Sequence, residues 1–377
     1  MNKRKYNIAI VSGLFDNIIG ESIVNDAIRI VKPFADGIYC ITGDINISDA
    51  DAYSVKISPG RQRRSIIVRS LRFLWRQVVI AWHTFRIAGR ADVFIFREGA
   101  GIFLLPAIAV KLRGKKLIVT APGLFSKSTQ HTGNRFLGSL YSILEKVVFN
   151  RADSLIIEGE GSVSFLGLGR YRKKISVSAV RQVDTRALKI ERTLDQRESC
   201  IGFLGGFIER KGILNLARAI PLVLLRHPKA NFILGGHGPL FEQVNAELAR
   251  DGFAGRINLP GWVSPQELPA YFNRLKLLIL PSYSEGLPTV AVEAMACGTP
   301  VLATPVGGIP DVIEDGRTGF ILPDNSPESI AAGICRVLSY PDLESMVQNA
   351  RRLVEDNFGF ERISRNFEKI VRQTVER

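Results

Sequence analysis

The segment 278-LILPSYSEGLPTVAVEAMACGTPVLATPV-306 decides the fold of this chain. The apolar run at residues 276–280 predicts a strand, the Pro-, Ser- and Gly-rich residues 281–288 a turn, and residues 289–297 a short helix. A Gly-Thr-Pro stop and a second apolar strand at residues 301–303 complete the pattern. Strand, helix and strand in this order predict one βαβ unit of a parallel sheet.

Two carboxylates bracket the predicted turn and helix. Glu285 lies just before the helix and Glu293 on its second turn, so we expect both to face the carboxyl edge of the preceding strand, where such sheets bind ligands. Pro288 suits the first helical position, because a backbone N–H has no helical partner there. The amides of Gly286, Leu287 and the first helical turn are then free to donate to an anion or to sugar hydroxyls. A carboxylate at Glu293 suits the vicinal diol of a ribose, so the segment predicts a nucleotide site.

Each glutamate alone has a more ordinary explanation. A Glu at a helix start often only complements the helix dipole, and a Glu on an alanine-rich helix is often only solvated. The two together, with the EGLP turn and the flanking strands, favour a ligand site.

The same stretch resembles the signature of the retaining, GT-B-fold glycosyltransferases of family 4 (glycosyl transferases group 1). The signature comprises Glu285, seven intervening residues, Glu293, and then ACGTPV and GGIPDVI, and the resemblance covers about residues 201–323. It implies an α/β fold of two Rossmann-like domains whose parallel sheets face an interdomain cleft. It also implies that Glu285 is a catalytic contact to the donor sugar and that Glu293 binds the ribose. The turn that the resemblance assigns to the sugar and diphosphate comprises Gly286, Leu287, Pro288 and Thr289.

The composition describes a globular protein of two domains. A chain of 377 residues with 46% apolar and 23% charged residues is long enough for two cores. The four cysteines are far apart and form neither a metal nor a redox pair, so we expect buried thiols in a reducing cytosol. The start, MNKRKYNIAIVSG, has only a strand-length apolar run, and we expect no signal peptide and no spanning helix.

We expect the first domain at residues 1–184 and the second, nucleotide-sugar-binding domain at residues 199–357. The charged residues 185–199 are interpreted as the interdomain connection. The resemblance implies that a last helix, residues 358–377, crosses back onto the first domain and that the cleft closes by hinge motion.

A net charge of +14 favours an anionic partner, and a predicted helix at residues 65–88 concentrates it. No acidic residue falls between positions 52 and 91. A basic amphipathic helix with Trp and Phe suits an anionic membrane surface; the alternative is an ordinary helix whose apolar face packs on the sheet. Nucleic acid ranks lower, because no nucleic-acid-binding motif accompanies the arginines. The basic stripe comprises Arg69, Arg72, Arg76, His83 and Arg86, and the apolar stripe comprises Ile67, Leu71, Leu74, Val78, Trp82 and Phe85.

The turn after the first strand of the second domain departs from the family pattern. In the family it carries an Arg and, five residues on, a Lys, which clamp the donor diphosphate. Lys211 matches the Lys and is the second predicted catalytic residue, whereas Gly206 stands at the Arg position. A leaving diphosphate needs compensation of its developing charge, so either Arg210 supplies the missing cation or its side chain points to solvent.

Further positions are predicted to line the ligand site. The resemblance places Gly20 near the diphosphate and Trp262 near the base, where it is a stacking candidate if it is not a core residue. Gly236, in a glycine-rich loop, permits close backbone approach to a ligand. Many family members place histidines where this chain has Arg97; here Arg97 and Glu98 either contact the acceptor or form buried ion pairs.

No metal or other cofactor is predicted. Asp49-Ala50-Asp51 is a D-x-D sequence, a pattern that holds a divalent metal in other glycosyltransferases. It lies in the first domain without further ligands nearby, so we interpret it as a polar turn.

These features predict an enzyme that transfers a hexose, with retention, from a UDP- or GDP-sugar to a glycan or lipid-linked acceptor. Retention is implied by the resemblance alone. One alternative is a nucleotide-sugar-binding protein that has lost transfer, suggested by Gly206, Arg97 and Pro122. The other is a two-domain sugar-nucleotide epimerase, which should not need the EGLP turn with paired glutamates.

Overall fold

The computed structural model describes residues 5–13, 18–49, 52–57, 66–97, 102–124, 126, 135–249 and 254–377. The chain divides into two compact units. Unit 1 comprises Met1–Glu158, Leu166–Gln182 and Phe360–Arg377, and unit 2 comprises Gly159–Phe165 and Val183–Gly359. Within the described ranges, no helix combines the length and the apolarity that crossing a bilayer requires.

Unit 1 is built on a parallel sheet of seven strands in the order β3-β2-β1-β4-β5-β6-β7. The strands are β1 (Tyr6–Val11), β2 (Ala35–Thr42), β3 (Tyr53–Lys56), β4 (Val93–Phe96), β5 (Lys116–Thr120), β6 (Ser154–Ile157) and β7 (Ile175–Val177). The described helices along this part of the chain are α1 (Ile18–Val31), α2 (Ile66–Ile87), α3 (Leu104–Leu112), α4 (Arg135–Arg151) and α5 (Glu160–Leu166). Strands β4 and β6 are buried along their whole length, which is why they read as unbroken apolar runs.

Unit 2 is built on a parallel sheet of six strands in the order β10-β9-β8-β11-β12-β13. The strands are β8 (Cys200–Leu204), β9 (Asn231–Gly235), β10 (Ile257–Gly261), β11 (Leu277–Leu280), β12 (Val301–Ala303) and β13 (Phe320–Ile321). The helices are α6 (Ile213–Arg226), α7 (Phe241–Ala249), α8 (Leu268–Arg274), α9 (Thr289–Ala296), α10 (Pro327–Leu338) and α11 (Leu343–Phe358). The chain leaves β8 toward β9 on one side and returns to β11 on the other, so the strand order reverses between β8 and β11. Ligands of open parallel sheets bind outside the carboxyl ends of the strands at such a point.

The last helix, α12 (Phe360–Val375), belongs to unit 1. Its apolar face, which includes Ile363 and Phe367, shares a buried core with Ile8 and Ile10 of β1. Ser364 also donates its hydroxyl to the carbonyl of Ile30 at 2.8 Å. The amphipathic helix α12 thus covers part of one face of the first sheet.

Residues 185–199, which the charged composition suggested as a connection, belong to unit 2. Arg197 is buried there and donates hydrogen bonds to the carbonyls of Arg192, Phe272, Leu275 and Cys297 and to the hydroxyl of Thr299. Burial lowers the pKa of this guanidinium to about 10, and the ring of acceptors offsets its desolvation. The hydrogen bonds of Arg197 therefore hold this charged segment against unit 2, although its composition suggested a solvent-exposed connection.

Candidate active site

Two turns meet at the carboxyl edge of the second sheet, at the point where its strand order reverses. One follows β8 and carries Lys211; the other follows β11 and carries Glu285. The amide of Tyr283 in the second turn donates to the carbonyl of Arg210 in the first at 2.9 Å. Gly212 has φ +68°, and a Cβ there would overlap the carbonyl oxygen of Pro281, so only glycine lets the turns approach this closely.

Glu285 is the buried carboxylate at the centre of these turns, with only 6% of its surface exposed. Its Oε1 accepts from the hydroxyl of Ser282 at 2.6 Å and from Nζ of Lys211 at 2.6 Å. Its Oε2 receives one longer contact, from Nη1 of Arg210 at 3.4 Å. Pairing and hydrogen bonding of this kind offset the cost of burying a carboxylate. Each oxygen has two lone pairs, so Oε2 retains acceptor capacity for a ligand hydroxyl.

Ser282, which sequence reasoning did not select, orients this carboxylate. Only 1% of its surface is exposed, and its carbonyl accepts from the hydroxyl of Thr304 at 2.5 Å. The residue after β12 thus anchors the turn after β11. A serine three residues before a glutamate in a turn is the local signal that was available for this contact.

The position of Arg210 settles one of the alternatives left by the sequence. Its Nη1 donates to the carbonyl of Ser284 at 2.5 Å, so the guanidinium is fixed to the Glu285 turn and does not point away into solvent. Gly206, at the position of the family arginine, has room for a side chain, since a Cβ would meet only the carbonyl of His237 at 4.0 Å. The backbone at Gly206 also has no positive φ. The fold therefore does not demand a glycine there.

Helix α9 begins at Thr289, one residue later than Pro288. Pro288 has φ −69° and ψ 112°, so it is the residue that caps the helix, and the expectation that it would be the first helical residue was wrong. The amide of Ala291 in the first turn donates to the carbonyl of Pro288 at 3.0 Å, whereas the positions before it have no acceptor within the helix. Gly307 and Gly308 support the turn from the side of β12. Gly308 donates its amide to the carbonyl of Gly286 at 2.7 Å, and a Cβ at Gly307 would overlap the carbonyl of Glu285.

Glu293 lies on the second turn of α9 and is half-buried. Its carboxylate is therefore not surrounded by bulk water. Burial raises the pKa of the Cys297 thiol to about 12, against the charges of Arg197 and Arg351, which lower it, and the charge of Glu293 raises it by less.

The glycine-rich loop after β9 packs on the loop after β8. Gly236 has φ +146°, and a Cβ there would overlap the carbonyl of Gly205. Phe207 donates its amide to the carbonyl of His237 at 3.0 Å. The close backbone approach that Gly236 permits is thus made by the loop after β8, whereas the sequence suggested a ligand there. Trp262, after β10, is 57% exposed, so it is not a core residue and its ring is available for stacking.

The candidates in unit 1 are less accessible. Arg97 is fully buried and donates through Nη2 to the carbonyl of Val180 at 2.9 Å. Burial raises the pKa of the nearby Asp26 carboxyl, while the charges of Arg181 and then Arg97 lower it. This arrangement favours a buried, charge-paired role for Arg97 over contact with an acceptor. Glu98 lies outside the described residues.

Gly20 does not occupy a turn before the helix. It is buried within α1, which extends over Ile18–Val31, so the expectation that the helix would start right after Gly20 was wrong. In the D-x-D sequence, Asp49 forms an ion pair with Lys32 at 2.8 Å, and Asp51 lies outside the described ranges. Among the residues that the structure describes, no group of three His, Cys, Asp or Glu side chains has an arrangement that suits a metal ion.

Comparison with known proteins bears on unit 2 above all. Residues 198–340 match the family described as "Glycosyl transferases group 1". An uncharacterized glycosyltransferase of Methanocaldococcus jannaschii is 31% identical over 180 residues, which are 48% of this chain and 46% of the relative. A D-inositol 3-phosphate glycosyltransferase of Streptomyces scabiei is 37% identical over 113 residues, 30% of this chain and 25% of the relative. These matches span half or less of the length of each of these curated relatives.

Solved structures resemble the whole chain. Sucrose-phosphate synthase from Thermosynechococcus elongatus superimposes with a TM-score of 0.76 at 18% identity, covering 98% of this chain and 99% of that chain. Anabaena Alr3699/HepE in complex with UDP-glucose gives a TM-score of 0.76 at 16% identity, with 98% and 100% covered. At this identity the likeness establishes the fold alone. The predicted α/β fold with two parallel sheets is confirmed: this chain has the GT-B fold, and residues 198–340 in its second unit are similar to the glycosyl transferases group 1 family.

Proposed function

We propose that this protein is a glycosyltransferase that moves a hexose from a UDP- or GDP-sugar to a glycan or lipid-linked acceptor with retention at the anomeric carbon. The observation that carries the proposal is the buried carboxylate of Glu285, held by Ser282 and Lys211 beside the amino terminus of α9. The group 1 domain match supports transfer. The Anabaena structures with UDP and UDP-glucose support a nucleotide-sugar donor.

In this proposal, cations and amides stabilise the departing diphosphate. Lys211 is held at 2.6 Å by one oxygen of Glu285, and its ammonium has three N–H donors, so it binds a phosphate oxygen without releasing the carboxylate. Arg210, fixed to the carbonyl of Ser284, supplies the second positive charge in place of the residue missing at Gly206. Preorganised donors of this kind stabilise charge that develops on a leaving group, which is the effect that accelerates transfer.

The two glutamates take different parts of the donor. The open acceptor site on Oε2 of Glu285 suits a sugar hydroxyl and fixes the hexose relative to the diphosphate. Glu293, farther along α9, suits the ribose hydroxyls, and the amides at the start of α9 suit the diphosphate. Trp262 is assigned to stacking on the base, because its exposed ring follows β10 at the same edge of the sheet.

Binding and turnover test the proposal separately. A thermal-shift panel of UDP, GDP and ADP identifies the base, because a ligand that binds only the folded state raises the melting temperature. Purified protein with the matching nucleotide sugar should release free sugar slowly, and Glu285→Gln should abolish this while Glu314→Gln, at an exposed glutamate of the same unit, should not. Nucleotide binding with no turnover by the wild type would instead support a sensor that has lost transfer. Proton NMR of the first-formed anomer tests retention.

Peripheral attachment at the inner membrane face is a second part of the proposal, and helix α2 supports it. Its buried face includes Gln77, Ile80, Thr84 and Ile87. The stripe residues from Leu71 to Phe85, which the alternative would pack on the sheet, are exposed instead. The exposed large apolar residues of α2 are Leu71, Leu74, Trp75, Val78, Trp82 and Phe85. Flotation with anionic liposomes at moderate salt tests the attachment, and absence of binding would contradict it.

A further inference from the structure

A second set of exposed apolar side chains lies on the two helices that follow α2 in the chain. On α3, Leu112 is 76% exposed, and on α4, Phe136 is 83% exposed, which is unusual for large apolar residues. Phe136, Leu140 and Ile143 are spaced four and three residues apart, so they form one stripe along α4. Of the 18 exposed large apolar residues among those described, 11 belong to α2, α3 and α4.

Side-chain contacts join α3 to α2 along its length. At its start, Gln77 of α2 donates to the carbonyl of Ile102 at 2.9 Å and accepts from the amide of Leu105 at 3.2 Å. At its end, the guanidinium of Arg113 lies 4.8 Å from the ring centroid of Phe85 of α2. The two helices therefore run side by side in the same direction. Helix α3 also packs against α4, so the three helices are consecutive neighbours and each carries exposed apolar side chains.

The charges on these three helices are mostly basic, although Asp153, just after α4, pairs with Lys111 of α3 at 2.7 Å. Helices α2 and α3 contain no Asp or Glu, and the single acid of α4, Glu145, is buried and accepts from the hydroxyl of Ser126 at 2.6 Å. Basic residues lie on the helices and just beyond their ends. The exposed ones are Arg86, Arg90, Arg113, Lys146 and Arg151.

We infer that α2, α3 and α4 together form one docking face for an anionic lipid bilayer, and that α2 is not a separate anchor. The inference rests on the proposed peripheral attachment and extends it to two helices that the basic pattern did not indicate. An anionic bilayer provides phosphates for the cations and hydrocarbon for the apolar stripes. A second copy of this face would instead place cation against cation, which disfavours a symmetric dimer. The face lies wholly in unit 1, so substitutions on it do not alter the residues of unit 2 that are proposed to bind the sugar donor.

The three tryptophans make the test specific. Trp75 and Trp82 lie on the face and Trp262 lies in unit 2, so a Trp262→Phe protein reports on the face alone. Its fluorescence should shift to the blue with vesicles of equal phosphatidylcholine and phosphatidylglycerol, and much less with phosphatidylcholine alone. In the same background, Phe136→Ser with Ile143→Ser should weaken vesicle binding about tenfold or more, because two exposed side chains lose their apolar contact. The matched control is Leu222→Ser with Leu225→Ser on α6 of unit 2, where Leu225 is 75% exposed, and it should bind as before.

Each outcome decides between assignments. Unchanged binding of the α4 pair, together with loss of binding in Val78→Ser with Trp82→Ser, would overturn the three-helix face and leave α2 as a single anchor. Equal binding to neutral vesicles would overturn the requirement for anionic lipid. Concentration-dependent dimerisation that is lost in the α4 pair would assign the face to a second copy. Hydrolysis of the nucleotide sugar without vesicles, measured in protein that keeps Trp262, should survive the substitutions on α2, α4 and α6, so its loss in Glu285→Gln reports on the proposed transfer and not on docking.

Discussion

Replacing Lys211 by methionine tests the ion pair at the centre of the site. The change removes the ammonium 2.6 Å from Oε1 of Glu285 and keeps a side chain of similar length. Breaking a buried pair by removing one partner costs about 3–5 kcal/mol of unfolding free energy. The hydroxyl of Ser282 and the guanidinium of Arg210 still contact this carboxylate, so we expect a loss at or below the lower end of that range, about 2–3 kcal/mol. The loss of one donor to the leaving diphosphate should also reduce turnover about 100- to 1,000-fold.

Urea unfolding in a Trp75→Phe, Trp82→Phe background isolates unit 2, because Trp262 is then the remaining tryptophan. A double-mutant cycle separates the pair from its surroundings. Glu285→Gln alone removes the charge that Lys211 faces, so the double variant should lose less free energy than the sum of the two single variants, by about 1–3 kcal/mol. Strict additivity of the two losses would refute the stabilising ion pair. Unchanged turnover in Lys211→Met would refute the role of its charge in diphosphate departure.

Three further outcomes follow from the same structure. Gly206→Arg should fold with at least wild-type stability, because a Cβ has room there and glycine is lost from the unfolded chain, and it should raise turnover relative to Gly206→Ala; a fall in both would contradict the space found at this position. Ser282→Ala should lower turnover about tenfold or more with little change in nucleotide affinity, since it frees the carboxylate of Glu285 without removing it; an unchanged rate would show that this hydroxyl is not needed. Burial raises the pKa of Cys297 from about 9 to about 12, so iodoacetamide at pH 8 should label it far more slowly than the less buried Cys335. Because the thiol of the unfolded chain ionises first, the free energy of unfolding should decline as pH rises above about 9. Fast labelling of Cys297 in the native protein would contradict this burial.

The strands and the helix around Glu285 were predictable, because short apolar runs bounded by Pro and Gly residues determine them. Strands β11 and β12 appear within one residue of their predicted limits, and so does helix α9. The pairing of Lys211 with Glu285 was not predictable, because it depends on β8 lying beside β11 in the sheet. Sequence spacing gives no such neighbour when 74 positions separate the two residues.

The remaining differences share one cause, which is burial. Periodicity identified α2 as amphipathic, but Ile80 and Val78 are equally apolar, and only packing decides that Ile80 is buried and Val78 exposed. The sequence left Arg97 open between an acceptor contact and a buried ion pair, and it placed Arg197 in a charged interdomain connection. Both are buried, since backbone carbonyls accept their hydrogen bonds, and a sequence does not show where such acceptors converge.

A crystal structure of the protein with the nucleoside diphosphate that gives the largest thermal shift tests the central claim most directly. We expect phosphate oxygens at hydrogen-bond distance, about 3 Å, from Nζ of Lys211 and the first amides of α9. We also expect the ribose hydroxyls to donate hydrogen bonds to the carboxylate of Glu293. A nucleotide bound away from the carboxyl edge of the second sheet, with the contacts of Glu285 and Glu293 unchanged, would contradict it.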